Sequence, residues 1–542
     1  MIEIIHSTNL NYMKRTIVSA AIAVFTAVGA FGQNATVTIH TQQGSQKINK
    51  EIYGQFSEHL GSCIYGGLWV GEDSKIPNIQ GYRKDVFEAL KALKVPVLRW
   101  PGGCFADDYH WMDGIGPKKD RPSLRNNNWG GTIEDNSFGT HEFLNLCEML
   151  GCEPYISGNV GSGTVKEMAQ WVEYMTSDGD TPMARLRRQN GREKAWKVKY
   201  FGIGNEAWGC GGNMTPEYYS NEFRKFNTYL RDYTGNKLYR IASGASDYDY
   251  NWTTVLMENV GRQMQGISLH YYTCSGWDGS KGSATQFSND QYYWALGKCL
   301  EIEEVIKKHK AIMDEKDPEG RIGLLVDEWG TWWDEEPGTI PGHLYQQNAL
   351  RDAFVAALSL NVFHKYTDRV KMANIAQVVN VLQSMILTDQ EGTGHMVLTP
   401  TYHVFEMYTP FQEATYLPLD LQTEIIAVSK AYLKEKEGAK DAGYRPCPML
   451  SASAAKTQDG SIVLALTNVS LDKDQTVTVS LDDFKAKSVS GRILTSKKAD
   501  DYNDFQHPDR VQPQAFSGAK LAKDGSLSVA MPAKSVVVLT LK

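Results

Sequence analysis

The chain has 542 residues, 42% apolar and 22% charged, with 56 basic against 63 acidic side chains and a net charge of −7. That composition excludes wholesale disorder, and it leaves no basic surplus to neutralise a phosphate backbone, so nucleic-acid binding is disfavoured. At this length the chain can bury a large core without disulfides or metal, as about three ordinary domains or as one large barrel with a smaller module.

Residues 1–32 read as a leader rather than as fold. Lys14 and Arg15 precede an apolar run, Ile17–Val28, and Ala30-Phe31-Gly32 supplies a small-x-small cleavage pattern before Gln33. Met13 is an alternative start. The run is too short and too poorly flanked for a stable span, although a membrane anchor is the other reading. No other stretch approaches about 20 apolar residues, so no membrane span is expected in the mature chain. The protein is therefore expected to be exported, periplasmic or secreted.

Within 33–49, Ala35–His40 (ATVTIH) alternates apolar and polar residues as a strand does. From about 50 to 413, short apolar strands alternate with amphipathic helices. The expected strands are Ile52–Phe56, Pro96–Gly102, Pro154–Asn159, Val198–Glu206, Tyr239–Ser246, Gly266–Tyr272, Ile322–Glu328 and Val370–Val379. Helical spacing marks Asp85–Lys94, Thr140–Leu150, Thr164–Met175, Pro216–Tyr233, Tyr292–Met313 and Tyr345–Lys365. Eight strands alternating with helices predict a (β/α)8 TIM barrel, the alternative being an open doubly wound sheet. Over 414–542 the pattern turns to β-branched alternation, as in Ser461–Ser470, Gln475–Leu481 and Ser535–Leu541. That predicts an all-β sandwich, which the strand at 35–40 is placed to join.

The eight cysteines, at 63, 104, 147, 152, 210, 274, 299 and 447, include no CxxC and no zinc-like spacing. They read as buried or site-lining thiols, with one pairing as an option. No HExxH, P-loop or post-strand GxGxxG motif occurs, and no metal or organic cofactor is expected.

A barrel carries its chemistry at the C-terminal ends of its strands. There the fourth strand ends in Asn205-Glu206 and the seventh in Asp327-Glu328. Two carboxylates facing one another are what glycoside hydrolysis needs, one to protonate the leaving oxygen and one to attack or to activate water. Strand alternation turns Asp327 to the side opposite Glu328, in a supporting role.

Six motifs in order, Tyr53–Gly61 (YGQFSEHLG), Leu98–Asp107 (LRWPGGCFAD), Phe138–Phe143 (FGTHEF), Tyr200–Gly209 (YFGIGNEAWG), Leu325–Gly330 (LVDEWG) and Met372–Leu382 (MANIAQVVNVL), resemble the α-L-arabinofuranosidases of glycoside hydrolase family 51. The resemblance covers nearly the whole mature chain. It implies a retaining mechanism with Glu206 as general acid/base and Glu328 as nucleophile. It also implies sugar contacts from Glu58, Asn205, Tyr272 and Gln377, and from Cys104, which stands where many relatives carry Asn and offers a thiol as a weaker partner. Arg99 is placed to pair with Glu328, and His270 to join the same polar network. Trp69, Trp111, Trp129, Trp208, Trp329, Trp332 and Trp333 flank the motifs as walls or as core. The expected substrates are arabinofuranose-containing glycans, arabinan or arabinoxylan, cleaved from the end. The family also implies a homo-oligomer, a hexamer. Two readings compete: an endo-glucanase or xylosidase on the same machinery, and a sugar-binding protein without catalysis.

Overall fold

Eight parallel strands close on themselves in chain order: β1 (Gly54–Phe56), β2 (Val97–Trp100), β3 (Glu153–Gly158), β4 (Tyr200–Ile203), β5 (Tyr239–Ser246), β6 (Gly266–Thr273), β7 (Gly323–Thr331) and β8 (Val370–Ala376). The architecture is that of a computed structural model, which describes residues 33–389, 392–432, 443–523 and 525–542. The expected leader, 1–32, lies outside these residues. Helices separate the strands: α1 (Lys84–Ala92), α2 (Thr140–Leu150), α3 (Val165–Thr176), α4 (Pro182–Gln189), α5 (Pro216–Tyr229), α6 (Tyr250–Val260), α7 (Asn289–Leu300), α8 (Ile302–Lys316) and α9 (Leu350–Lys365), with α10 (Pro400–Tyr408) after the last.

Covered on both faces, the barrel strands are buried almost throughout, which is why they read as continuous apolar runs. Val97, Tyr155, Tyr200, Ile241, Leu325 and Met372, from six strands, form an apolar plug. Two residues further along β2, β3 and β7 the inward side chains turn polar, to Arg99, Ser157 and Asp327, and the floor of a site begins. Arg99 Nε donates to Ser157 Oγ at 3.2 Å.

A bulge in β7 overturns one expectation. Val326 and Trp329 pair with Ala373 and Ile375 of β8, and Leu325 and Glu328 pair with Ser268 and His270 of β6, so β7 carries one extra residue against both neighbours. The extra residue breaks the alternation. Asp327 is therefore not turned away from Glu328: both carboxylates face the same Arg99 and His270.

Two sheets form the C-terminal module. One holds, in order, Leu419–Gln422, Gln33–Ile39, Gln475–Leu481, Leu527–Met531 and Ala519–Leu521; the other runs Thr415–Leu417, Leu450–Lys456, Ile462–Asn468, Ser535–Leu541, Val489–Thr495 and Gln514–Ala515. The N-terminal strand thus joins the sandwich, with Ala35, Val37 and Ile39 in its core. Barrel and sandwich meet along α9, which is buried from Leu350 to His364 and apolar on nearly all sides to match. From it Asn361 donates to Ser451 Oγ at 2.9 Å, and His364 bonds Tyr53 on one ring nitrogen and Ser453 on the other.

Candidate active site

Glu206 is not the last residue of a strand. β4 stops at Ile203, and Gly204, at φ +86°, turns the chain so that Asn205 and Glu206 cross the barrel mouth. Glu206 itself takes a left-handed φ of +40°, a conformation costly for a residue with a Cβ and kept only where its surroundings impose it. Here the restraint is Asp107. Its carboxylate accepts the N–H of Asn205 at 2.9 Å, of Val160 at 2.7 Å and of Gly161 at 3.0 Å, tying the ends of β2, β3 and β4 together. Burial pushes the Asp107 carboxyl up to about 7 despite these three donors.

The Gly102-Gly103 pair in the PGGCF segment is required by close approach. A Cβ on Gly102 would lie 2.6 Å from Glu58 Cγ, and one on Gly103 2.8 Å from Glu328 Oε1. The bare backbone lets the chain pass between two carboxylates. Glu58 Oε1 accepts from Gly103 N at 3.0 Å, Phe105 N at 3.1 Å and Trp129 Nε1 at 3.0 Å, while Oε2 accepts from Gln377 Nε2 at 2.9 Å. Burial and the neighbouring Glu328 raise the Glu58 carboxyl to about 7.

Glu328 is held at both oxygens. Arg99 Nη1 donates to Oε1 at 2.9 Å and Tyr272 Oη to Oε2 at 2.9 Å. Burial pushes its carboxyl up, Glu206 and Asp327 add to that, and His270 and Arg99 pull against it. Arg99 Nη2 also donates to Asn205 Oδ1 at 2.6 Å. Asn205 Nδ2 and Gln377 Oε1 are buried without a hydrogen-bond partner among the described residues.

His270 sits between the carboxylates. Its Nδ1 lies 2.7 Å from Glu206 Oε1 and 3.6 Å from Glu328 Oε2, and its Nε2 lies 3.4 Å from Asp327 Oδ1. Burial alone would strip its proton, but Glu328, Asp327 and Glu206 outweigh burial and lift it to about 10. An imidazolium therefore lies against Glu206 Oε1 and leaves Oε2 free of it. Asp327, against Arg99, His270 and the Tyr155 hydroxyl at 2.7 Å, is held below the usual carboxylate range despite its burial.

A carboxylate oxygen of Glu206 and one of Glu328 lie within 4.8 Å of each other and of a His270 nitrogen. Retaining glycosidases hold their two carboxyls about 5–5.5 Å apart, and inverting ones about 6.5–9.5 Å. With both its ring nitrogens turned to carboxylates and its proton retained, His270 does not offer this trio to a cation.

The cavity over these groups measures about 360 Å3. Glu58, Cys104, Glu206, Tyr272, Glu328 and Gln377 line it, so six of the nine site residues expected from the sequence reach it directly, while Arg99, Asn205 and His270 stand behind them. Trp129, Trp208 and Trp332 are walls; Trp69, Trp111, Trp329 and Trp333 are buried in the core. Trp277, 55% exposed, stands edge-on to Trp332 at 5.3 Å and to Tyr272 at 6.2 Å at the cavity lip.

Cys104 needs correction. It lines the cavity, but in a disulfide with Cys210, so the weak thiol donor expected at this position does not exist in this state. Cys210, Asp107 and Trp277 were not legible as site residues. Cys210 pairs across 106 residues, Asp107 acts through backbone amides that no motif displays, and Trp277 lies in a loop without periodicity.

Comparison with known proteins shows what the whole chain is similar to. The family description "Alpha-L-arabinofuranosidase 1 domain" matches residues 89–290 and "Alpha-L-arabinofuranosidase C-terminal domain" matches 327–535. The chain is 66% identical over 510 residues to a protein of Bacteroides ovatus named "Intracellular exo-alpha-L-arabinofuranosidase", covering 94% of this chain and 96% of the relative. Among solved structures, the GH51 arabinofuranosidase of Xanthomonas axonopodis pv. citri superposes with a TM-score of 0.89 at 47% identity, covering 94% of this chain and all of the other. The Thermotoga maritima α-L-arabinofuranosidase in its arabinose complex superposes with a TM-score of 0.78 at 28% identity, covering 93% and 99%. One expectation is overturned: the Bacteroides relative is named intracellular, against the export, periplasmic or secreted, expected from the apolar run at 17–28.

Proposed function

The chain belongs to the α-L-arabinofuranosidases of glycoside hydrolase family 51, and from that premise we propose a retaining, exo-acting enzyme that removes terminal arabinofuranose from arabinan- and arabinoxylan-type oligosaccharides in the cytoplasm. The observation that carries the mechanism is the carboxylate pair, with oxygens within 4.8 Å. Glu206, its Oε1 occupied by His270, delivers a proton from Oε2 to the glycosidic oxygen. Glu328, oriented by Arg99 and Tyr272, attacks the anomeric carbon and forms a glycosyl-enzyme. Glu206, now a carboxylate, takes a proton from water, which attacks the same carbon and restores the starting configuration. Gln377, in the cavity wall, supplies an acceptor, Oε1, for a sugar hydroxyl.

The cavity's modest volume of about 360 Å3, with walls from Trp129, Trp332, Leu344 and Leu382, supports a terminal residue rather than a polymer running through a groove. This favours exo action over an endo-glucanase. The cytoplasmic site of action is supported by the name of the Bacteroides relative, and short oligosaccharides suit it better than polymer. A homo-oligomer, a hexamer by family resemblance, belongs to the same proposal; sedimentation of the purified chain would read a monomer if that part fails.

The deciding experiment is a panel of aryl α-L-arabinofuranosides, β-xylosides and β-glucosides, with methanol as competing acceptor. The proposal expects turnover of the arabinofuranoside and methyl α-L-arabinofuranoside as the methanolysis product. A β-configured methyl glycoside would end the retaining mechanism. Preference for the glucoside or xyloside would favour the rival specificity, and no turnover of any would favour a binding protein.

A further inference from the structure

Both sulfurs of the Cys104–Cys210 bridge lie against one carboxylate oxygen. Cys104 Sγ is 3.8 Å and Cys210 Sγ 3.5 Å from Glu206 Oε2, the oxygen not taken by His270. Neither cysteine is deeply buried: Cys104 is partly covered and Cys210 exposed, whereas the six free cysteines among the described residues are all buried. This bridge is thus the sulfur group that a solution reductant reaches first. Disulfides do not persist in a reducing cytoplasm, so at the location proposed above the pair would stand as two thiols.

We propose that Cys104, Cys210 and Glu206 form a redox-gated site for a thiophilic divalent cation, with Zn2+ as the type, and that the bound ion shuts off glycoside cleavage. The spacing supports it. In a tetrahedral site with Zn–S near 2.3 Å and Zn–O near 2.1 Å, each sulfur lies about 3.6 Å from the oxygen. The observed 3.5 and 3.8 Å already match. The sulfurs must part to about 3.8 Å once the bridge opens, which their 5.5 Å Cα separation allows by side-chain rotation. The backbone on both sides is fixed. Cys104 begins the 3-10 turn Cys104–Asp107, and Cys210 lies in a turn closed by Gly209 and Gly211 N–H groups on the Glu206 carbonyl. Two of the three ligands, Cys104 and Glu206, line the cavity.

A small-molecule dithiol gives two electrons and two protons to the cystine and leaves as its own cyclic disulfide. The two thiols release their protons to solvent as the cation binds. Bound to the cation, Glu206 Oε2 can neither hold a proton nor accept one. The loss of rate rests on Glu206 as proton donor; the binding itself does not.

The test uses the full chain in two states, oxidised, and reduced with dithiothreitol that is then removed anaerobically. Reduction should expose two further thiols. Co2+ should then give the near-ultraviolet thiolate-to-cobalt absorption at one equivalent, and micromolar Zn2+ should cut the rate on an aryl arabinofuranoside at least tenfold, reversed by EDTA. The oxidised enzyme and reduced Cys210→Ser, each referred to its own metal-free rate, should lack the band and the inhibition. The proposal is overturned if reduction frees no thiols, if the reduced enzyme shows no band, if Cys210→Ser responds as the wild type does, or if the band forms without loss of rate. A metal-free enzyme inactive on the arabinofuranoside would instead fail the functional reading, and the cobalt band would still decide the site.

Discussion

His270 sets the electrostatics of the site at the scale of single residues. It adds a positive charge 2.7 Å from Glu206 and 3.6 Å from Glu328, which lets two carboxylates share a buried space. Replacing it with Asn keeps a donor and removes the charge, so the acid limb of the kcat/KM profile, which reports ionisation of the nucleophile, should move up by about one pH unit. A profile with the limb unmoved would remove His270 from that role. The same group shapes stability. Its pKa is about 10 folded against 6.5 for the free side chain, so its contribution is complete below about pH 6.5 and is lost as pH rises through 10. The thermal midpoint of the wild type should fall between pH 7 and 10 by more than that of His270→Asn. Equal falls in a melting series would contradict this. Glu206, Glu328, Arg99 and Asn205 were legible because each sits in a dense local motif, and His270 because it stands near the end of a barrel strand. The roles of Asp107 and Cys210 were not, because they depend on amides and sulfurs that only the closed barrel brings together.

Among the elements, β7 shows what periodicity can and cannot supply. Its apolar run located the strand, but nothing in the run marks the extra residue that swings Asp327 to the same side as Glu328. The stretch Tyr292–Met313 reads as one helix and is two, α7 and α8, meeting at Glu301; α4, α6 and α10 went unread. The last three pack on neighbouring helices, α4 on α3, α6 on α5 and α8, and α10 on α9, and that packing stabilises them more than a long apolar stripe does. The N-terminal strand was legible from simple alternation. It lies inside its sheet, antiparallel to Leu419–Gln422 and parallel to Gln475–Leu481. Val37, fully buried there, is its keystone. Val37→Asp should cost about 3 kcal/mol or more, since it buries an unpaired charge, and should lower the denaturant midpoint accordingly. A shift below about 0.5 kcal/mol would mean that the strand is dispensable.

For the whole molecule, the question is whether barrel and sandwich are separable. One apolar core runs through both: Leu360 and Phe363 of α9 share it with Val463, Ala465 and Val536 of the sandwich. Tyr292 of α7 donates to the Val469 carbonyl at 2.8 Å, and Arg492 pairs with Glu406 of α10. With so much apolar surface shared, calorimetry should record one unfolding transition rather than two. Two resolved transitions would show that the domains hold their cores independently.

The account's central claim is that Glu328 attacks and Glu206 handles the proton. It is tested most directly by replacing each with Ala and supplying azide with an aryl arabinofuranoside bearing a good leaving group. In Glu206→Ala the glycosyl-enzyme still forms but no base activates water, so azide should accelerate turnover and yield the α-azide with retained configuration. In Glu328→Ala no covalent intermediate can form, the rate should fall on the order of 10³-fold or more, and azide should attack directly to give the β-azide. Opposite anomers from the two variants are the predicted result. A retained α-azide from Glu328→Ala, or near wild-type turnover by it, would contradict the assignment.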